Sequence, residues 1–462
     1  MIQYVSTRGE GAPKSFTEVL LSGLAPDGGL YVPTQWPQID VAALKGKSYP
    51  DIVFEIAKPF VGDDIPEADL YSMIVETYEN EFRHAAIAPL VQVGTDAWIL
   101  ELFHGPTLAF KDYPLQLLGR LFDYVLEKRG QRVTIVGATS GDTGSAAIEA
   151  CRHCKNINIF ILHPHGRTSE VQRRQMTTVD SPNVFNVALE GTFDDCQNAV
   201  KAMFADELFR GEMNLSAVNS INWARIMAQI AYYFAAAVAL GAPERKISFS
   251  VPTGNFGNVY AAYCAKQMGL PIDKLVIASN RNDILTRFFE TGAMTAGTVE
   301  PSLSPSMDIQ VSSNFERFLF DVLDRNPEEL RAKMASFRQS GEYDLPKKEM
   351  ERARATFEAY RCSDEQTSLV MALCHKGTGY TVDPHTAVGL HGAWASEHKG
   401  TPMVALACAH PAKFPDAVEK ATGIRPPLPP HLSDLYDRKE RFTVLKNDLQ
   451  SLQSFVRENV AK

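Results

Sequence analysis

Two patterns of apolar and polar positions divide the chain. Up to about residue 80, turn clusters at Ala25-Pro26-Asp27-Gly28-Gly29, Pro33, Pro37 and Pro50 come first, and helical patches follow in SYPDIVFEIAKPFV and PEADLYSMIVETYENEF, which repeat apolar residues at helical spacing. From about Pro89, short β-branched runs, Gly-rich loops and helical segments alternate. QRVTIVGA, NINIFILHP, NVFNVALEG, KISFSV, KLVIASN and MVALACAH read as strands, and SAAIEACRH, FDDCQNAVKAMFADELF and VYAAYCAKQMG as helices. That alternation predicts an α/β fold with a largely parallel sheet. The charged stretch from Asp321 to Thr367 predicts a solvated helical hairpin. A Pro-rich turn from Arg425 to Pro430 then leads into a polar helical tail, and no internal repeat is present.

Composition narrows the class. Of 462 residues, 45% are hydrophobic and 22% charged, which excludes a disordered chain. Forty-six basic against 55 acidic residues give a net charge of −9, without the footprint of a nucleic-acid binder. A local anion site built from donors stays possible. Seven Cys, an odd number, do not make a disulfide framework, and the start MIQYVSTRGEGAP lacks a signal-peptide pattern. The longest apolar run, Ala228 to Ala242, falls short of the ~20 residues of a membrane span and predicts a buried core helix. The expectation is a cytoplasmic protein with reduced thiols, with neither membrane nor nucleic acid as partner.

Two strand-to-helix junctions carry the strongest chemical signals. PTGNFGN, Pro252 to Asn258, follows KISFSV and opens a helix. First-turn amides there lack intrahelical partners and the helix dipole favours an anion, so phosphate is the natural guest. Gly254 and Gly257 allow close backbone approach. The same loop would also serve as an ordinary β–α turn. VGATSGDTGSAA is the second junction, with its helix expected from Gly144; Ser140, Thr143 and the amides near Gly141 suit a carboxylate or phosphate. Asp142 would repel an anion unless it faces away, caps the helix or takes a proton. Neither loop is a P-loop or a GxGxxG with its acidic partner, which argues against an NTPase and a Rossmann oxidoreductase.

Lys111, in ELFHGPTLAFKDYPLQLLGRL, lies among Leu108, Phe110 and other apolar residues before a periodic helix. Desolvation there favours the neutral, nucleophilic amine; pairing with Asp112 is the simpler alternative, and His104 is equally open. In NSINWARIMAQ, Asn222 and Arg225 are three apart and expected on one helix face, where Arg225 suits a carboxylate or phosphate, or a structural ion pair. Cys151-x-x-Cys154 lacks a second ligand pair, so no metal is expected.

Taken in order, HGPTLAFKD, SGDTG, NSIN with Arg225, GNFGN and AHPAKF resemble the threonine synthases, pyridoxal 5′-phosphate (PLP) enzymes of the tryptophan-synthase β-like fold, fold type II. The start YVSTRGE…FTEVLLSGLAPDGGLYVP resembles their long bacterial and fungal branch. The resemblance runs from Tyr4 to about Phe414. It implies an N-terminal α+β domain over 1–85, a PLP-binding core over 86–430 with a small mobile domain near 115–215, and a helical tail over 431–462. The core would hold parallel-type sheets flanked by helices. The resemblance also implies Lys111 as Schiff-base lysine and acid/base, and Gly254, Asn255, Phe256, Gly257 and Asn258 as the PLP phosphate cup. Ser140, Asp142, Thr143, Asn222 and Arg225 would face the substrate, O-phospho-L-homoserine, which with water becomes L-threonine and phosphate. Cys408 stands before AHPAKF where the family carries Thr or Ser against the pyridine nitrogen, and a thiol is a weaker donor. The alternative within the same machinery is a phospholyase releasing a 2-oxo acid and ammonia; outside it, a non-catalytic metabolite binder, against which Lys111 speaks. Oligomeric state stays open, a monomer being favoured.

Overall fold

The computed structural model describes residues 1–217, 220–397 and 400–460. The chain forms two compact units, one of residues 1–104 and 220–426, the other of 105–219 and 427–462.

The first unit is built on a six-stranded sheet in the order Phe357–Arg361, Ile272–Ser279, Ile247–Pro252, Met403–Ala407, Ala97–Glu101 and Leu90–Gln92. All neighbours are parallel except the last pair. Ile247–Pro252 and Met403–Ala407 are buried at every position, as expected of strands covered on both faces. Helix Pro384–Ala395 packs on four of the strands. The apolar run near residue 230 forms helix Trp223–Ala239, buried almost throughout. No helix among the described residues is long and apolar enough to cross a membrane.

The N-terminal stretch is packed into this unit. Its strands Tyr4–Ser6 and Tyr31–Pro33 pair antiparallel, and its helix Tyr49–Val61 lies on Trp223–Ala239. Tyr4 and Phe60 close on Trp223 with ring centroids 5.9 and 5.5 Å away, and Tyr4 Oη donates to Phe60 O at 2.7 Å. Segment 321–367 departs from a plain hairpin. It holds helices Pro327–Ser340 and Lys347–Thr356, and FEAYR within it becomes the edge strand Phe357–Arg361. Its alternating Phe357, Ala359 and Arg361 fit an edge position that a charge-based reading overlooks.

The second unit holds a five-stranded, wholly parallel sheet ordered Thr443–Lys446, Val184–Glu190, Ile157–Pro164, Val133–Ala138 and Leu215–Ser216. The tail is more than helical, since it supplies edge strand Thr443–Lys446 before helix Leu449–Asn459. Leu452 and Val456 of that helix join Phe160, Leu162, Val187 and Met203 in one apolar cluster. The predicted helix FDDCQNAVKAMFADELF is broken at Asp206, whose carboxylate accepts from Phe209 N at 3.0 Å and caps a second helix, Glu207–Met213.

Candidate active site

In the second unit the loop before helix Asp112–Arg129 presents Lys111. Asp112 accepts from Thr107 N at 2.8 Å and Thr107 Oγ1 at 2.6 Å, so its carboxylate folds the loop back on itself. Lys111 is 8% exposed. Its Nζ stands 3.4 Å from Asp142 Oδ2 and 5.3 Å from the Phe110 ring centroid. The carboxylate recorded beside the ammonium is thus Asp142, from the other predicted anion loop, rather than its sequence neighbour.

That loop follows strand Val133–Ala138 and enters helix Asp142–Cys151 two residues earlier than expected. Thr139 is the reason: its Oγ1 accepts from Gly141 N and Gly144 N, both at 2.9 Å, doing the work of a cap. Asp142 is relieved of capping, and its other oxygen, Oδ1, accepts from Gln172 Nε2 at 2.9 Å. Ser140 is exposed and Thr143 half-buried, and neither hydroxyl has a partner among the described residues. Cys154 Sγ donates to Gly119 O and Ala150 O, both at 3.6 Å, and its neighbour Cys151 together with burial raises its thiol pKa.

In the first unit, strand Ile247–Pro252 runs through Thr253–Phe256 into helix Gly257–Gln267. The carbonyls of the turn are held from outside. Ser312 Oγ donates to Gly254 O at 2.5 Å, and Asn314 donates to Asn255 O through N at 3.1 Å and Nδ2 at 3.0 Å. The amides from Gly254 to Val259 have no acceptor among the described residues. Phe256 adopts φ 61° and buries its ring against Phe315, Phe318 and Phe357, so it can offer the cup only its amide. Asn258 is buried; its Oδ1 accepts from Tyr233 Oη at 2.7 Å and from Tyr232 Oη, while its Nδ2 has no partner among the described residues.

Asn222 sits outside the helix it was expected to share with Arg225. It caps Trp223–Ala239, accepting from Ala224 N at 3.0 Å and donating to Leu20 O at 2.8 Å. An Asn one residue before a helical run satisfies the orphan amides, and that role takes precedence over the face-sharing that spacing suggested. Asn219, which opens the same motif, lies outside the described residues. Arg225 is buried at 4% exposure, forms no ion pair among the described residues and leaves Nη1 unpartnered; burial pushes its guanidinium down to about 10. Such a charge is costly unless an anion joins it. Cys408 follows strand Met403–Ala407, buried and outside any disulfide. His104 is tied to Glu101, Nε2 to Oε2 at 2.6 Å, and Tyr380 Oη donates to the other oxygen at 2.5 Å.

Sequence reasoning missed the groups that hold the loops. Arg317, fully buried, donates to Asn314 Oδ1, to Ile221 O and, at 2.9 Å, to Tyr31 O. It joins the turn before Asn222 and the N-terminal strand to the support of the Gly254–Asn258 turn. The one available signal was Ser312-Ser313-Asn314, a polar run directly before the aromatic FERFLF.

The donor set fits a phosphate. A Cβ at Gly254 would lie 3.2 Å from Met307 Cα and Ser306 O, so no side chain fills the turn, and six unpartnered amides plus Asn258 Nδ2 remain as donors. Lys111, buried beside a carboxylate, fits the aldehyde of a phosphate-bearing cofactor.

Comparison with known proteins agrees along the whole chain. Residues 3–78 match the family described as threonine synthase N terminus, 85–333 the pyridoxal-phosphate dependent enzymes, and 386–456 threonine synthase, C-terminal. Threonine synthase of Pseudomonas aeruginosa is 54% identical over 463 residues, covering 99% of this chain and 98% of the relative. The crystal structure of PLP-bound threonine synthase from Brucella melitensis has 51% identity and a TM-score of 0.99, with 100% of each chain covered. Human threonine synthase-like 2 is 37% identical, covering 96% of this chain and 94% of its own.

Proposed function

The chain belongs to the PLP-dependent threonine synthase family, and from that premise we propose how its residues divide the work. The protein is a PLP-dependent lyase that converts O-phospho-L-homoserine and water to L-threonine and phosphate. PLP, when bound, supplies the electron sink that makes the substrate's Cα–H acidic.

Lys111 is the lysine that carries PLP, and Gly254, Asn255, Phe256, Gly257 and Asn258 take its phosphate through backbone amides and Asn258 Nδ2. The unspent donors of that turn support the assignment. Cys408 is assigned to the pyridine nitrogen. Lys111 Nζ takes the Cα proton and later returns one, and the ammonium it becomes finds Asp142 Oδ2 at 3.4 Å. Expelling the γ-phosphate and adding water at Cβ need proton transfers at Cβ and Cγ as well, and we assign these to Lys111 too. Arg225, buried with no counter-charge among the described residues, receives an anionic end of the substrate. Ser140 and Thr143 offer hydroxyls to another, and Asn222 serves by fixing the start of the helix that carries Arg225.

The observation that carries this reading is the buried Lys111–Asp142 pair. A lysine held at 8% exposure against a carboxylate is arranged for proton transfer. The partner is a small molecule. Seven thiols without a disulfide fit a reducing cytoplasm, and a monomer is the working state, to be checked by light scattering.

Product analysis tests the function. Purified protein with PLP and O-phospho-L-homoserine is followed by proton NMR and a phosphate assay. Threonine formed in step with phosphate, and lost in Lys111→Ala, is the expected result. A 2-oxo acid with phosphate would identify the phospholyase instead.

A further inference from the structure

Helix Glu170–Thr177 reaches both parts of the lysine site. Gln172 Nε2 donates to Asp142 Oδ1 at 2.9 Å, and Gln175 Nε2 donates to Thr107 O, in the lysine loop, at 3.1 Å. Val171, directly before Gln172, packs with Leu108 of that loop. The charged residues of this helix face elsewhere: Arg173 Nε bonds Glu440 Oε2 at 2.8 Å, Arg174 Nη2 lies 3.8 Å from Glu440 Oε1, and Glu170 pairs with Arg174.

The carboxamide of Gln172 is itself oriented. Ser169 Oγ donates to Oε1 at 2.8 Å, which leaves the donor end, Nε2, for the Asp142 carboxylate. Gly141 leaves the room for it, with φ 148° and a hypothetical Cβ only 2.5 Å from Gln172 Cδ. Capping this helix needs only Ser169 and the amide of residue 172, whatever its side chain. The Gln172 carboxamide and the matching glycine are therefore additional to the helix start.

We propose that Gln172 is a positioning residue of the reaction, holding Asp142 Oδ1 so that Oδ2 faces Lys111 Nζ, with Ser169 fixing Gln172 in turn. The proposal deepens the function above and rests on its assignment of Lys111 as the base. A carboxylate anchored at one oxygen keeps its other oxygen in place while Lys111 gains and loses its proton. Released from Gln172, the carboxylate can rotate, and the protonated lysine nitrogen loses a fixed counter-charge. The loss falls on proton transfer rather than on substrate binding.

The test uses holoenzyme carrying Gln172→Met, which keeps bulk and removes the donor. Misplacement of catalytic groups is reflected in kcat, so kcat is expected to fall about tenfold or more while KM stays within about twofold. The pH midpoint of the cofactor's visible absorbance, which reports the proton on Lys111 Nζ, is expected to fall by roughly half a unit or more. Ser169→Ala shifts both readouts in the same direction by less. Should Gln172→Met not fold, Gln172→Glu keeps the volume and sets a second carboxylate against Asp142, and a comparable loss of kcat is expected. Wild-type kcat and midpoint in a folded variant, with only the melting temperature lowered, would reduce Gln172 to a tie between helices and overturn the proposal. Wild-type protein forming no threonine would overturn the assigned function instead, so the two failures are distinguishable.

Discussion

Asn314 donates twice to one oxygen, Asn255 O, through its backbone N at 3.1 Å and its side-chain Nδ2 at 3.0 Å. With Ser312 Oγ on Gly254 O, this engages the carbonyls of the turn and leaves its amides as donors. The turn is therefore defined from behind, by residues about 60 positions later in the chain. Asn314→Ala keeps the backbone donor and removes Nδ2. A neutral hydrogen bond contributes about 1 kcal/mol, so PLP affinity is expected to fall about fivefold to tenfold, measured by absorbance titration of cofactor-stripped protein. Unchanged affinity would mean that the backbone donor alone sets the turn.

Arg225 separates stability from activity. Its buried guanidinium has no counter-charge among the described residues, which destabilises the protein without its ligand, and an apolar isostere relieves that cost. Arg225→Met is expected to raise the melting temperature, or leave it unchanged, while raising KM for O-phospho-L-homoserine about tenfold or more. Calorimetry and steady-state kinetics on the same preparation check both signs. A fall of several degrees would show that the guanidinium has a structural role.

The sequence revealed the strands with period or continuous burial, and both strand-to-helix junctions, because strand, glycine-rich turn and helix follow one another locally. Val133–Ala138, Ile157–Pro164 and Ile247–Pro252 fall where apolar runs placed them. What it hid were contacts set by tertiary packing. Nothing in GATSGDTG says that Thr139 caps the helix and so releases Asp142 for Lys111. Nothing near Lys111 names Gln172, 61 positions on, as the residue that holds its carboxylate. FEAYR was obscured by charged neighbours, and Thr443–Lys446 is an edge strand too short to announce itself. Asn222 was legible as polar, but spacing alone could not tell a cap from a helical face.

With Cys408 proposed at the ring nitrogen, its substitution tests how much that partner must donate. It is buried at the end of strand Met403–Ala407, where the family resemblance places a hydroxyl. If the position asks only for a small polar group, Cys408→Thr leaves kcat within about threefold, a difference below 1 kcal/mol. A loss of several orders of magnitude, with fold and PLP content intact, would show that the thiol has a specific role.

The tail is held to the helix carrying Gln172 by Glu440. Its carboxylate takes Arg173 Nε at 2.8 Å, Arg173 Nη2 at 3.0 Å and Thr177 Oγ1 at 2.7 Å. The bond from Arg173 leads in lowering its pKa below the usual carboxylate value, with Thr177 and the charge of Arg174 assisting and partial burial opposing. A depressed folded-state pKa means that Glu440 stabilises the fold above its unfolded value and loses that contribution as pH falls through the folded one. The window therefore opens near the ordinary glutamate pKa of about 4.3 and extends below it. Glu440→Gln is expected to lower the melting temperature at neutral pH by the equivalent of about 1 kcal/mol or less, since the pair is partly solvated. The gap from wild type should narrow as pH drops through that window. Melting curves of both proteins from neutral pH into the acid range check this, and a gap that stays constant would place Glu440's contribution outside its charge.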